Sequence, residues 1–171
     1  FLSAFWLRYA LDAIIYNRGV GGFVTDELLE NIDTCILDLK PSKLFINIGT
    51  NDLSNPDIPI AEMIANYDKI ICQVKDSLPD VSIYFMAYYP INYDAATDEM
   101  KPCLLVRTNK KIDEANAAVR ALAQKHNETY IDITAPLKDE NGNLKAEYTI
   151  EGMHINEDGY RSIFPEFMKY V

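Results

Sequence analysis

Leu44-Phe-Ile-Asn-Ile48 runs directly into Gly49-Thr-Asn-Asp52. A stretch apolar at nearly every position suits a strand covered on both faces, which places it in a parallel sheet with helices above and below. Helical patterns flank it on both sides. From Thr25 onward Leu28, Leu29, Ile32, Ile36 and Leu39 share one face, Asp26 and Glu27 occupy the first turn, and Pro41 is the stop. On the other side Ile60, Met63, Ile64, Tyr67, Ile71, Val74 and Leu78 form an amphipathic helix closed by Pro79.

The same alternation continues to both ends of the chain. Upstream, Asp12-Ala-Ile-Ile-Tyr16 reads as a short strand ending in the glycine cluster Asn17-Arg-Gly-Val-Gly-Gly22. Downstream, Val81 to Ala87 is a buried-type strand, Leu104 to Gln124 a helix with Ile112, Ala115, Val119 and Leu122 in register, and Thr129 to Ile133 a fourth strand. The closing stretch, Asn156 to Tyr170, is helical in pattern, and Pro165 inside it predicts a kink or a late restart. Strands and helices in this rhythm predict an α/β fold, a three-layer α/β/α parallel sheet joined by right-handed crossovers. No repeat, linker or low-complexity tract divides residues 1–171, so one domain is expected.

Composition narrows the function classes. Hydrophobic residues make up 49% of the chain, enough for a core without metal or disulfides. A formal charge of −10 repels a phosphate backbone, so no nucleic-acid partner is expected. No apolar run is long enough to span a bilayer, and the apolar opening Phe1 to Tyr9 lacks the basic start and small-residue cleavage site of a secretory signal. The cysteines, Cys35, Cys72 and Cys103, are odd in number and far apart, which predicts buried free thiols in a reducing, cytoplasmic setting.

In an open parallel sheet, ligands bind beyond the carboxyl ends of the strands. The polar signals fall there: Gly19 to Gly22, Gly49 to Asp52, Tyr88 to Asn92 and Glu151 to His154. The chain has two histidines. His126 sits near a helix C-terminus, where the dipole favours an imidazolium without any further role. His154 lies in Glu151-Gly-Met-His154, where a carboxylate three residues upstream can turn back onto the imidazole Nδ1–H and fix its tautomer. That contact needs a separation of about 2.6–3.2 Å and a bend at Gly152. Asn51 offers a side-chain N–H and Gly22 a backbone N–H without a shielding Cβ, the two kinds of donor that form an oxyanion hole. A lone histidine among scattered carboxylates makes a poor zinc site, so neither metal nor cofactor is expected.

Asn17 to Gly22, Gly49 to Asp52 and Glu151 to His154, with Gly159 following, occur in an order and spacing that resembles the SGNH hydrolases, also called GDSL-like lipases or acylhydrolases. The resemblance runs from about Tyr16 to the end of the chain. It implies a flavodoxin-like sheet and a serine acyl-enzyme mechanism acting on acyl esters of small molecules or carbohydrates. His154 would be the general base, Glu151 its acidic partner in place of the more usual aspartate, and Gly22 and Asn51 the oxyanion donors. Tyr88 and Tyr89, with the segment from Ile91 to Leu105, would border the substrate.

The resemblance also implies a central strand and a Gly-Asp-Ser turn some twenty residues before the glycine block, and no such pattern precedes Gly22 here. Ser3 is the sole upstream serine, has no glycine beside it and is not expected to be the nucleophile. The domain is therefore expected to be N-terminally incomplete, with the sheet closed by direct pairing of Ala13–Tyr16 with Leu44–Ile48 or by a strand from a second copy in a homo-oligomer, since unpaired backbone groups are too costly to expect. The alternative function is a catalytically inactive module that binds an ester, glycan or protein in the same crevice. A cofactor-binding flavodoxin-like domain is disfavoured, because the glycine blocks lack the Gly-x-Gly-x-x-Gly spacing.

Overall fold

Three strands pair in parallel in the computed structural model, which describes residues 14–171: β1 (Lys43–Ile46), β2 (Ser82–Met86) and β3 (Thr129–Ile131), in the order β1-β2-β3. The register sets Ile46 opposite Phe85 and Met86 opposite Ile131. Around the sheet lie α1 (Thr25–Glu30), α2 (Ile32–Cys35), α3 (Ile60–Ser77), α4 (Lys101–Val106), α5 (Asn109–Lys125) and α6 (Glu157–Phe167).

Alternation along each strand sends side chains into two separate cores. Ile46, Ile83 and Phe85 pack with Tyr67, Ile70, Ile71 and Val74 of α3 and Ile112, Ala115 and Val119 of α5. On the opposite face Phe45, Tyr84 and Met86 meet Ile163 and Phe167 of α6 together with Leu137, Leu144 and Ile155. Phe45 stacks on Tyr84 with ring centroids 4.6 Å apart and tilts against Phe167 at 4.9 Å. Helices therefore cover both faces, the three-layer α/β/α arrangement, and the strand ends all open toward one edge.

Several sequence expectations change at the level of elements. The segment Ile14–Tyr16, the described part of the expected first strand, is not in the sheet: Ile14 is 82% exposed and Tyr16 61%. Among the described residues β1 pairs with β2 alone, so direct closure of the sheet through Ile14–Tyr16 does not occur. Without a hydrogen-bonding neighbour the apolar run has no reason to extend as a strand. Ala13, Asp12, Ser3 and the stretch from Phe1 to Tyr9 lie outside the described residues.

The single helix expected from Thr25 to Leu39 is broken into α1, α2 and a 3-10 turn, Leu37–Leu39. At Asn31 the side-chain amide donates to the Glu27 carbonyl at 2.8 Å, the local competition with backbone hydrogen bonding that makes asparagine a helix interrupter. The helix expected from Leu104 to Gln124 is likewise two, because Thr108 caps α5 by accepting from Lys111 N at 3.2 Å. In contrast, α6 passes through Pro165 without a restart. Pro165 is exposed and only two residues from the helix end, where the loss of one backbone hydrogen bond interrupts little of the helix. Of the three cysteines, Cys72 is exposed rather than buried, and Cys35 and Cys103 are partly buried; all are free.

Candidate active site

The loop after the 3-10 turn Ala146–Tyr148 is built around the Glu151 carboxylate. Oε1 accepts from the backbone N–H groups of His154 at 2.6 Å and Met153 at 3.0 Å, while Oε2 lies 3.0 Å from His154 Nδ1. Burial pushes the Glu151 carboxyl up, but these hydrogen bonds outweigh it and hold the group below the ordinary glutamate value. Since an ionised carboxylate only accepts, the proton of a neutral His154 ring belongs on Nδ1 and the Nε2 lone pair is open. Nε2 has no partner among the described residues, and the side chain is 68% exposed.

The backbone makes this turn possible at Gly152, whose φ is +92°. A Cβ there would lie 2.5 Å from the Asn92 carbonyl and 2.8 Å from Ala96 Cα. The close approach is used: Asn92 N donates to Gly152 O at 2.7 Å, joining the loop after β2 to the loop of His154. Thr149 Oγ1 fastens the same loop from inside, accepting from Gly152 N and donating to His154 O, each at 2.9 Å.

Beyond β1, Gly49 has φ +113°, and a Cβ would collide with the Tyr88 hydroxyl and lie 2.8 Å from Met63 Sδ. The turn that follows places Asn51 in a half-buried position, with Nδ2 donating to Phe23 O at 2.9 Å. Phe23 adjoins Gly22, which is exposed, has φ +86° and closes a turn held by Phe23 N donating to Val20 O at 3.3 Å. The Gly22 N–H and the second Nδ2–H of Asn51 have no acceptor among the described residues. Arg18 anchors the glycine loop by donating to Thr34 O at 2.6 Å. Next to Asn51, Asp52 is 2% exposed and accepts from both the backbone N–H and the hydroxyl of Thr25, tying the start of α1 to the same turn. Burial nonetheless pushes the Asp52 carboxyl up.

Sequence reasoning missed Arg107. It is 6% exposed at the break between α4 and α5, and its guanidinium donates to Asn51 Oδ1 at 3.1 Å, Ser54 Oγ at 2.8 Å and Met153 Sδ at 2.9 Å. It therefore joins the Asn51 turn to the loop of His154. Apolar periodicity runs across this step without interruption, so no local pattern marks it, and nothing local says where a long side chain there will reach.

Other candidates fall elsewhere. Tyr88 is a core residue, 1% exposed, with its hydroxyl on Ile48 O at 2.6 Å; Tyr89 packs against the α6-side core. Asp132 accepts from Thr134 N at 3.0 Å and makes no contact with His154. His126 caps the end of α5 with Nε2 on Asp68, whose other oxygen takes Lys125 at 2.6 Å. Cys72 lies beside this pair, but the lysine ammonium within it opposes a cation, and α5 ends where β3 is about to begin, away from the strand ends that carry Asn51 and Asn92. Among the described residues no serine is hydrogen-bonded to His154.

The sequence matches the GDSL-like lipase/acylhydrolase family over residues 3–162. It is 24% identical over 175 residues to the GDSL esterase/lipase WDL1 of Oryza sativa subsp. japonica, aligning 95% of this chain with 67% of that protein. Similarity to N-acylneuraminate cytidylyltransferase from Escherichia coli is 26% over 161 residues; 94% of the chain spans only 36% of that longer protein. Among solved structures, one from Streptococcus pneumonia named after platelet activating factor superposes with a TM-score of 0.83 at 32% identity, over 93% of this chain and 73% of that one. A catalytic mutant of Axe2, an acetylxylan esterase from Geobacillus stearothermophilus, is similar in fold, with a TM-score of 0.75 at 17% identity over 98% of this chain and 77% of that one. The chain belongs to the GDSL-like lipase/acylhydrolase family of SGNH hydrolases.

Proposed function

We propose that this domain hydrolyses carboxylic esters through an acyl-enzyme, with His154 as general base, Glu151 as the acid that orients it, and Gly22 and Asn51 as oxyanion donors. The observation that carries this reading is the Glu151–His154 pair: a carboxylate on Nδ1 at 3.0 Å with Nε2 open is the arrangement that takes a proton from an attacking hydroxyl. The nucleophile is a serine outside residues 14–171. Attack on the ester carbonyl forms the Oγ–C bond as His154 Nε2 takes the hydroxyl proton, and the negative charge develops on the carbonyl oxygen. Collapse breaks the bond to the alcohol, which leaves with the proton from His154, and water repeats the sequence to release the acid. Small-molecule or carbohydrate acyl esters are the proposed substrate class. The strand that precedes the serine would complete the sheet along the outer edge of β1; a homo-oligomer in which a second copy adds a strand there is the alternative to it.

The test is p-nitrophenyl acetate hydrolysis by the full-length protein, with covalent labelling by a fluorophosphonate followed by peptide mapping. His154→Ala is expected to lower kcat by several orders of magnitude with folding unchanged, since the exposed ring supplies proton transfer rather than packing. Labelling of no serine, together with unchanged turnover in His154→Ala, would instead favour the ester- or glycan-binding module.

A further inference from the structure

Arg107 is a buried cation with no carboxylate partner among the described residues; its hydrogen bonds go to a hydroxyl, a thioether and an amide oxygen. Burial disfavours its charge, so the position is a costly one for an arginine. Its contacts show what the cost secures. A guanidinium donates and never accepts, so the amide atom of Asn51 that faces it at 3.1 Å has to be Oδ1. Nδ2 is then directed to the opposite side, where it meets Phe23 O at 2.9 Å beside the Gly22 turn. With either partner gone, the amide could rotate and turn Oδ1, an acceptor, toward a developing oxyanion. The charge on Arg107 also polarises the amide through Oδ1 and makes Nδ2–H a stronger donor.

Arg107 is itself held fast. It stands between two helices, with backbone φ −88° and ψ 76°, next to the Thr108 cap of α5. Lys111 of α5 donates to Leu53 O at 3.0 Å, binding the same helix to the turn that follows Asn51. The third arm of the fork reaches Met153, the residue before His154.

We propose that Arg107 is a positioning residue for ester hydrolysis: it fixes the orientation of the Asn51 amide so that Nδ2–H faces the oxyanion site. The inference rests on the reading of Asn51 as an oxyanion donor, and the experiment separates the two. In the full-length protein, Arg107→Met should lower kcat at least about tenfold with KM within about twofold. In an Asn51→Ala background the same substitution should cost less than about threefold, because a residue that acts through Asn51 has little left to position. Arg107→Lys, which keeps the charge and a donor, should fall between wild type and Arg107→Met. Independently of activity, the Asn51 side-chain NH2 resonances of 15N-labelled protein should move or broaden in Arg107→Met while backbone resonances of the core stay in place. A full loss repeated in the Asn51→Ala background, an unchanged kcat, or Asn51 resonances identical to wild type would overturn the proposal. Inactive wild-type protein would overturn the esterase reading instead, and the Asn51 resonances would still decide whether Arg107 fixes the amide.

Discussion

Glu151 shows how one methylene is accommodated. Its Oε1 gathers two backbone N–H groups and its Oε2 takes the imidazole, so the carboxylate organises its own loop as well as the ring. The functional demand is on the sign of each atom: an acceptor facing Nδ1 leaves Nε2 able to accept a proton. Glu151→Gln keeps shape and Oε1 but turns an amide N–H toward Nδ1, which favours the other tautomer and occupies Nε2 with hydrogen. Loss of kcat on the order of 10⁴-fold is expected, with KM nearly constant. Stability follows by linkage. The folded pKa of Glu151 is depressed, so its contribution is present above the ordinary glutamate value and is lost as pH falls through the folded one. The gap in melting temperature between wild type and Glu151→Gln should therefore shrink as pH is lowered from 7 to about 3, below the ordinary glutamate range. A gap independent of pH would mean that the carboxylate charge does nothing for the loop.

At the scale of elements, the loop from Thr149 to Ile155 owes its shape to Gly152, and that dependence is testable. An L side chain at φ +92° is strained, and its Cβ would meet backbone atoms of Asn92 and Ala96 rather than the end of a mobile side chain. Gly152→Ala should cost at least about 1–3 kcal/mol, a fall in melting temperature of roughly 3–10 °C for a chain of this size. It should also reduce kcat, since Glu151 and His154 flank the strained residue; full activity at wild-type stability would show that the loop can take another path. This loop was legible in the sequence because its parts are local: a carboxylate, a glycine and a histidine within four residues. The strands β1, β2 and β3 were legible for a similar reason, each being a short, mostly apolar stretch between helical patterns. The helix breaks at Asn31 and Arg107 were not, because apolar periodicity persists across them while a side-chain amide or a threonine cap redirects the backbone. The strand expected at Ala13 to Tyr16 failed in its described part because pairing is a property of two segments, and β1 offers no strand on that side among the described residues. Arg107 stayed invisible because it meets Asn51 and Met153 only after three loops have been brought together.

For the whole molecule, the layer between the sheet and α3 contains phenols as well as hydrocarbon, and this sets a limit on alkaline stability. Tyr67 is fully buried and donates to Ile46 O at 3.3 Å; Tyr88 donates to Ile48 O at 2.6 Å. Both hydroxyls therefore face carbonyl oxygens at the end of β1, where a phenolate would lose its hydrogen bond and meet a partial negative charge without water. Burial pushes Tyr67, Tyr88 and Tyr89 well above the ordinary phenol value, and Tyr130 and Tyr160 in the same direction. Groups raised in this way contribute stability that is complete below the unfolded value, about pH 10, and is lost as pH rises beyond it, because only the unfolded chain can release those protons. Tyr67, Tyr88 and Tyr89 should ionise only in a cooperative step of phenolate absorbance that coincides with loss of far-ultraviolet dichroism. Tyr88→Phe removes one such proton and should move that step to higher pH relative to the variant's own stability at pH 7. Smooth, reversible titration of all the phenols with dichroism unchanged would show that the core admits water to Tyr67 and Tyr88. The turn at Gly49, packed against the Tyr88 hydroxyl, would then be too loose to hold Asn51 in one place.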